Sequence, residues 1–297
     1  MNAVKDKRLK LILQYDGSAF HGWQIQREER TVQGELEAAL KQLTSTRRPV
    51  IGSGRTDRGV HAIGQVAVAS LPDTWQPEKL EKALSAVLPN DIWIKSVEHA
   101  SPGFHPRYDA LSRTYLYHLG LSAEARSPFH RHWCWPFAKP LDTGLLECAA
   151  GTIVGEYSFK AFRKSGQPER GGRCTVHESC WAPWEDLGLT FQITANRFLH
   201  HMVRYLVGTM VDIAGGKRPL EDLRRLLEEP ESDLRTSPPA PPTGLFLHHV
   251  AYPPRPTTPG KFSRPAEGAP GAGPSSRTEL SSSPEGQPPS STEQVTQ

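Results

Sequence analysis

The stretch GSGRTDRGVHAIGQVAVA, from Gly52 to Ala69, is a charged, glycine-rich loop that runs into a strand. The loop places one carboxylate, Asp57, between Arg55 and Arg58, with Gly52, Gly54 and Gly59 around it. Glycine lets the backbone take positive φ or come close to a ligand. Arginine holds phosphates and planar groups through a rigid donor fork. An acid set between arginines is supported as the carboxylate. The composite suits a loop that presents a carboxylate to a polyanionic substrate, although the same composition also fits a solvated charged turn. Two common phosphate motifs are excluded. Asp57 stands where the third glycine of G-x-G-x-x-G would be, and no Gly-Lys-Ser or Gly-Lys-Thr follows. The segment Gln65–Ala69 then reads as a strand.

Working outward, Leu9, Leu11, Leu13 and Tyr15 alternate with polar residues, as in a half-buried strand. Val32, Leu36, Ala39, Leu40 and Leu43 fall at helical spacing behind Thr31, a suitable N-cap. Pro77 suits the first turn of a helix carrying Leu80, Ala83, Leu84, Val87 and Leu88. Ile92–Val97 is a strand, and there is room for one more beside the glycine-rich loop. The second half repeats the pattern. Thr114–Leu119 predicts a strand. Asp142 caps a helix through Ile153. Val176–Trp184 and Leu189–Thr194 form a hairpin. Leu199–Ile213 is a helix stopped at Gly215-Gly216. Leu223, Leu226 and Leu227 mark a short helix, and Leu245–Ala251 a last strand. The expected fold class is α+β: two ferredoxin-like units, similar to the common RNA-binding sheet, with mixed or antiparallel sheets and a catalytic cleft between them. The expected domains are 1–105, with the Asp57 loop, and 106–252, followed by a tail at 253–297.

That tail is Pro, Ser, Gly, Thr, Glu and Gln, with Phe262, Leu280 and Val295 its only large apolar residues. It is expected to be disordered, because it cannot bury enough surface to offset chain entropy. Its four basic and four acidic residues cancel, so the formal net charge of +3 belongs to the body. A nucleic-acid surface must therefore come from local clustering. The four cysteines form no C-x-x-C pair, and no stretch approaches the roughly 18 apolar residues of a membrane span. A cytoplasmic setting with free thiols and no membrane is expected. His130, His132 and Cys134, and the pairs His200-His201 and His248-His249, read as ordinary strand, loop or helix residues. No metal is expected.

Five segments in order carry a resemblance. GRTDRGVHA resembles the active-site segment of the tRNA pseudouridine synthases of the TruA type. Phe104–Leu119 resembles that family's F-H-x-R and R-x-Y-x-Y, and Ser158–Arg163 its S-F-x-x-F-R. Asn196–Met210 resembles F-L-x-x-M-V-R-x-x-V-G, and Pro241–Val250 the closing P-x-x-G-L-x-L-x-x-V. The resemblance runs from Leu9 to Tyr252. It implies isomerisation of uridine to pseudouridine at about positions 38–40 of the tRNA anticodon stem-loop, where the target base must leave its stack. It implies Asp57 as nucleophile, Arg204 beside it, and Tyr115 packed on the base. Arg55 and Arg58 would bind substrate. A homodimer with tRNA as its partner, and no cofactor, follow in the same way.

For RNA contacts the candidates are Phe104, His105, Pro106, Arg107, Tyr108, Arg163, Arg170 and Arg173. Tyr117, on the same strand face as Tyr115, suits the core. Tyr205 departs from the family, which often has asparagine there, and the loop Lys164–Arg173 matches no family pattern. Two other function classes fit parts of the chain. A non-catalytic RNA-binding module would have no reason to keep Asp57. A nucleoside hydrolase or glycosidase usually needs two carboxylates, and only Asp57 sits in a convincing loop.

Overall fold

The computed structural model describes residues 6–164 and 171–254. Arg170 and the tail beyond Pro254 lie outside the described residues. The first half runs β1 (Asp6–Tyr15), α1 (Val32–Thr44), β2 (Val50–Gly52), β3 (His61–Pro72), α2 (Pro77–Val87) and β4 (Ile92–His99). Its strands lie in the order β4-β1-β3-β2, every pair antiparallel. That is the order of a split β-α-β ferredoxin-like unit. Strand β1 keeps the alternation read from its sequence. Leu9, Leu11, Leu13 and Tyr15 are buried, each buried leucine worth about 1.5–3 kcal/mol. They share a core with Leu36 and Leu40 of α1 and Leu80 and Leu84 of α2. Thr31 caps α1 by accepting the Gly34 N–H at 3.3 Å, and Pro77 opens α2.

The second half repeats the unit with two additions. It runs β5 (Ser112–Gly120), β6 (Trp135–Pro136), α3 (Thr143–Thr152), β7 (Gly155–Ser158), β8 (Arg173–Trp184), β9 (Gly188–Ala195), α4 (Met202–Ala214), α5 (Glu221–Glu228) and β10 (Leu245–Ala251). The order β10-β5-β9-β8 matches that of the first half strand for strand, with β7 added at the edge and β6 beside β5. Asp142 caps α3 by accepting the Leu145 N–H at 3.0 Å. Strand β6 has only two residues, and the four of β7, Gly-Glu-Tyr-Ser, include no run of alternating apolar side chains, so neither carries a periodic signal. The expected boundary at 105/106 falls in the connection between β4 and β5.

The halves join in a single mixed sheet. Strand β3 pairs in parallel with β10 over only two positions, Phe246 to His61 and Leu247 to Ala62. The other pairing on that edge of β3, with β2, lies further along at Ala67–Ala69. The seam between the halves therefore meets β3 at its first residues, where the Asp57 loop ends. Helix α4 is buried along most of its length and carries Gly208 at a tight crossing. A Cβ there would lie 2.1 Å from the Pro238 carbonyl oxygen. The same crossing is tied by Ala240 N–H donating to the Arg204 carbonyl at 2.9 Å.

All four cysteines are free. Cys134 and Cys174 are buried and Cys148 and Cys180 exposed. No helix among the described residues is long and apolar enough to cross a membrane.

Candidate active site

The Asp57 loop spans the gap between β2 and β3, and buried polar groups hold it from below. Gln65, fully buried on β3, accepts from Ser53 Oγ at 2.7 Å. Its amide nitrogen donates to the Gly54 carbonyl at 3.1 Å and to Tyr15 Oη at 3.3 Å. Tyr15 Oη shares a 2.7 Å hydrogen bond with Thr56 Oγ1. Burial raises the Tyr15 phenol well above its ordinary range, so it stays protonated. From the side, Trp23 N–H donates to the Thr56 carbonyl at 3.0 Å. Gly59 turns the chain back with φ 76, a conformation that glycine adopts without strain. Val60 N–H then donates to the Asp57 carbonyl at 3.1 Å.

At the far end, His61 Nδ1 accepts the Gly17 N–H at 3.0 Å. That assignment puts the imidazole proton on Nε2. Burial lowers the His61 pKa, against the opposing pull of Asp16, so the ring is neutral at pH 7. The 3.2 Å contact of His61 with Asp16 is accordingly not an ion pair.

Asp57 itself is 17% exposed, and its two oxygens meet two imidazoles. His200 Nε2 lies 3.1 Å from Oδ1, and His201 Nε2 lies 3.4 Å from Oδ2. Neighbours in a regular helix diverge by about 100°. Here His201 takes a left-handed conformation (φ 66) at the N-cap of α4, and the two rings sit 4.2 Å apart, both on the carboxylate. Burial lowers the His201 pKa, although Asp57 pulls it the other way, so His201 is neutral at pH 7. The N-terminal end of α4 also favours negative charge there.

Asp57 opens onto a cavity of about 510 Å³, lined also by Ser18, Arg58, Gly59, His132, Lys164, His201, Arg204, Pro242 and Thr243. That is a common size for a small-molecule site. Among the described residues Asp57 is the one carboxylate in the lining, which otherwise carries three cationic side chains, Arg58, Lys164 and Arg204. The cavity holds one anionic group in a positive surround, suited to a phosphate-bearing substrate.

The structure brings Asp57, Arg58 and Arg204 to one cavity. Arg204 directs its Nε to the Ala240 carbonyl at 2.7 Å, while the carboxylate oxygens of Asp57 contact the two histidines. Arg55 is exposed on the loop. Tyr115 is 9% exposed, with its ring edge-on to Phe198 at 4.9 Å. Its pKa is pushed up to about 12 by burial and by the charge of Asp57, so the phenol is protonated. Tyr117 is fully buried and donates its hydroxyl to the Pro241 carbonyl at 2.9 Å.

The 104–108 segment forms its own turn. His105 Nδ1 accepts the N–H groups of Arg107 and Tyr108 at 3.1 and 3.2 Å, and its ring stacks on Tyr108. Phe104 packs on Tyr252, whose hydroxyl donates to the Pro106 carbonyl at 2.7 Å. Arg107 and Tyr108 are exposed. Arg163 is half-buried, next to the Lys164 that lines the cavity. Arg173 pairs with Glu156 at 2.7 Å, an exposed bridge of small energetic worth.

Several site residues were absent from the sequence-based candidates. The histidine pair fills the two unspecified positions of F-L-x-x-M-V-R, and its spacing alone carries no metal or acid–base signal. Arg113, from the R-x-Y-x-Y segment, joins three segments. Its NH2 donates to the Ser53 and Arg107 carbonyls, each at 2.9 Å, and its NH1 to the Asn196 carbonyl at 3.2 Å. Gln65 sits just beyond the loop, where a polar residue within an apolar strand run was the available cue.

A family model described as tRNA pseudouridine synthase matches residues 11–109 and 149–253. A protein called tRNA pseudouridine synthase A from Dictyoglomus thermophilum is 41% identical over 245 residues, covering 82% of this chain and 98% of that relative. Its counterpart of the same name from Maridesulfovibrio salexigens is 39% identical over 249 residues, covering 83% of this chain and 90% of that relative. One from Chlamydia pneumoniae is 37% identical over 249 residues, covering 82% and 92%.

Proposed function

The chain belongs to the tRNA pseudouridine synthase family, and from that premise we propose that Asp57 is the nucleophile with which it isomerises uridines of the tRNA anticodon stem-loop. As a member of that family the chain is an isomerase that converts uridine to pseudouridine in tRNA. In that reaction the bond from uracil N1 to ribose C1′ breaks, the base turns, and a C5–C1′ bond forms. The C5 hydrogen leaves as a proton, and N1 gains one. Nothing is oxidised, so a single attacking carboxylate is sufficient chemistry.

The observation that carries the reading is the lone carboxylate. Among the described residues Asp57 is the one acid in the cavity lining, oriented by two imidazoles and held on a loop with a buried polar underside. A glycosidase would place a second carboxylate across the cavity, and the described residues of the lining hold none. Arg58, Lys164 and Arg204 balance phosphate charge on either side of the target nucleotide. Tyr115 lies against the reacting end as a protonated phenol, and its ring packs on the base. Arg55 and Arg58 bracket the loop toward substrate, and the 104–108 turn, Arg163 and Arg173 meet the RNA backbone. The target uridines are those near positions 38–40, which the cavity admits once flipped out of the stack, at about a few kcal/mol for unstacking. The working form is a cytoplasmic homodimer.

The test is tritium release from tRNA labelled at uridine C5, with free uracil measured alongside. Wild type should release tritium without uracil. Asp57→Asn should fold and bind tRNA yet fall by at least about a thousandfold in single-turnover rate, or about 4 kcal/mol. Free uracil from the wild type would replace isomerisation by hydrolysis. A variant rate within about tenfold of wild type, only about 1.4 kcal/mol, would remove Asp57 from the nucleophile role.

A further inference from the structure

We propose that Asp57, His200 and His201 form a three-ligand site for a zinc-class divalent cation, and that a cation bound there blocks catalysis. The ligand atoms are already gathered. One carboxylate oxygen and one nitrogen from each imidazole lie within 4.8 Å of one another. His200 Nε2 stands 3.1 Å from Oδ1 and His201 Nε2 3.4 Å from Oδ2. Ligands bound at 2.0–2.1 Å around a tetrahedral zinc lie about 3.3 Å apart. Each imidazole stands about one such edge from its own carboxylate oxygen, so a turn of the carboxylate or of one ring, within the 4.8 Å that already encloses the three ligand atoms, would close the set on a cation.

The donor set selects the class. Two nitrogens and one carboxylate suit zinc, cobalt and iron(II), whereas magnesium and calcium favour all-oxygen shells. Three protein ligands leave a fourth position, which faces the cavity that Asp57 and His201 line. The surroundings of the ligands limit the affinity. His200 Nδ1 is buried without a hydrogen-bond partner among the described residues, and outer-shell partners of ligating histidines are worth about 10–100-fold in metal binding. Arg58, Lys164 and Arg204 add positive charge nearby, which also weakens binding. The site therefore fits a reversibly bound cation rather than a permanent one.

Inhibition follows from occupancy of the carboxylate, and this part rests on Asp57 being the nucleophile. A lone pair held by the cation is not available for attack. Binding itself does not rest on that reading.

The experiment is calorimetric titration of full-length protein with zinc chloride, repeated with cobalt, whose visible spectrum reports tetrahedral nitrogen and oxygen ligation. The exposed thiols Cys148 and Cys180 are competing ligands, so the parent protein is the double variant Cys148→Ser, Cys180→Ser. The expected result is one cation per chain, with affinity falling at least about tenfold in both His200→Asn and His201→Gln. Melting curves taken in parallel confirm that both variants are folded. Saturating zinc should abolish tritium release, and a chelator should restore it. Equal zinc binding in the parent and both variants, or none in the parent, overturns the site. Histidine-dependent binding with undiminished tritium release overturns the block, while the Asp57→Asn rate decides the nucleophile separately.

Discussion

At the scale of single residues, the reactive carboxylate is set by its neighbours more than by its own loop. The flanking arginines do not take the Asp57 oxygens; His200 and His201 do. Below the loop, Gln65 uses both ends of its amide, accepting from Ser53 and donating to Gly54 and Tyr15. Gln65→Leu keeps much of the volume but leaves the Ser53 hydroxyl and the Gly54 carbonyl without that partner. Each unsatisfied buried group costs about 1–3 kcal/mol. Urea unfolding should show a loss of about 2–4 kcal/mol. In addition, kcat should fall with little change in tRNA Kd, because the loop loses its anchor while the phosphate-facing surface is intact. Stability and kcat both unchanged would show that the network is dispensable.

At the scale of elements, helix α4 carries a glycine where helix propensity favours another residue. Gly208 lies in its interior, and alanine there would ordinarily stabilise by about 1 kcal/mol. The crossing reverses the sign. The added Cβ would lie 2.1 Å from the Pro238 carbonyl oxygen, a backbone atom that cannot swing away. Gly208→Ala should therefore destabilise by about 1–3 kcal/mol, the usual cost of overpacking. It should also push out the 238–240 segment that receives Arg204 Nε. A raised melting temperature would mean that the segment relaxes freely and the contact is loose.

Strand β5 carries a pH-dependent element, His118. Its ring packs between Trp184 and Phe246, at 4.4 and 5.0 Å. Burial, aided by His61 and His248, takes its pKa from the ordinary 6.5 to about 4. The unfolded chain binds this proton first. The contribution to stability is therefore complete above pH 6.5 and is lost as pH falls toward 4. Allowing for partial exposure, the loss is about 2 kcal/mol. Urea melts at pH 7.5 and pH 5 compared between wild type and His118→Phe check this, with the variant expected to lose less on acidification. Parallel losses in the two proteins would place the acid sensitivity elsewhere.

At the scale of the whole molecule, a chain with a formal net charge of only +3 is expected to hold a polyanion. The structure concentrates Arg58, Lys164 and Arg204 at one cavity, with Arg107 exposed on the neighbouring turn. tRNA affinity should therefore fall steeply with salt, with a log–log slope of about −2 or steeper. Arg58→Ala and Arg107→Ala should each flatten the slope by about 0.7–0.9, whichever tRNA is used, since phosphate contacts carry no base information. Arg173 should matter less, because Glu156 already balances it. Filter binding between low and physiological salt measures this, and a slope near zero would remove the electrostatic account.

Most of the elements, though not the short strands β6 and β7, and the reactive loop were legible in the sequence alone. Leu9–Tyr15 alternates, Thr31 and Asp142 cap, Pro77 opens a helix, and Gly215 closes one. Each signal acts over a few residues, through backbone torsion, capping hydrogen bonds or one-sided burial, so each is readable locally. The order of these elements already implied two ferredoxin-like units, and the motif around Asp57 pointed to the reactive acid. Tertiary structure alone decided what meets that acid. The parallel pairing of β3 with β10 joins residues 61–62 to residues 246–247, and no local pattern encodes a contact over that separation. His200 and His201 reach Asp57 because the second unit brings α4 to the seam and a left-handed turn aims both rings the same way. Arg204 lies on a carbonyl because the 238–240 segment crosses α4 at that point. Polar partners of this kind follow from three-dimensional proximity, and side-chain type at a given sequence position does not specify which of several acceptors will be near.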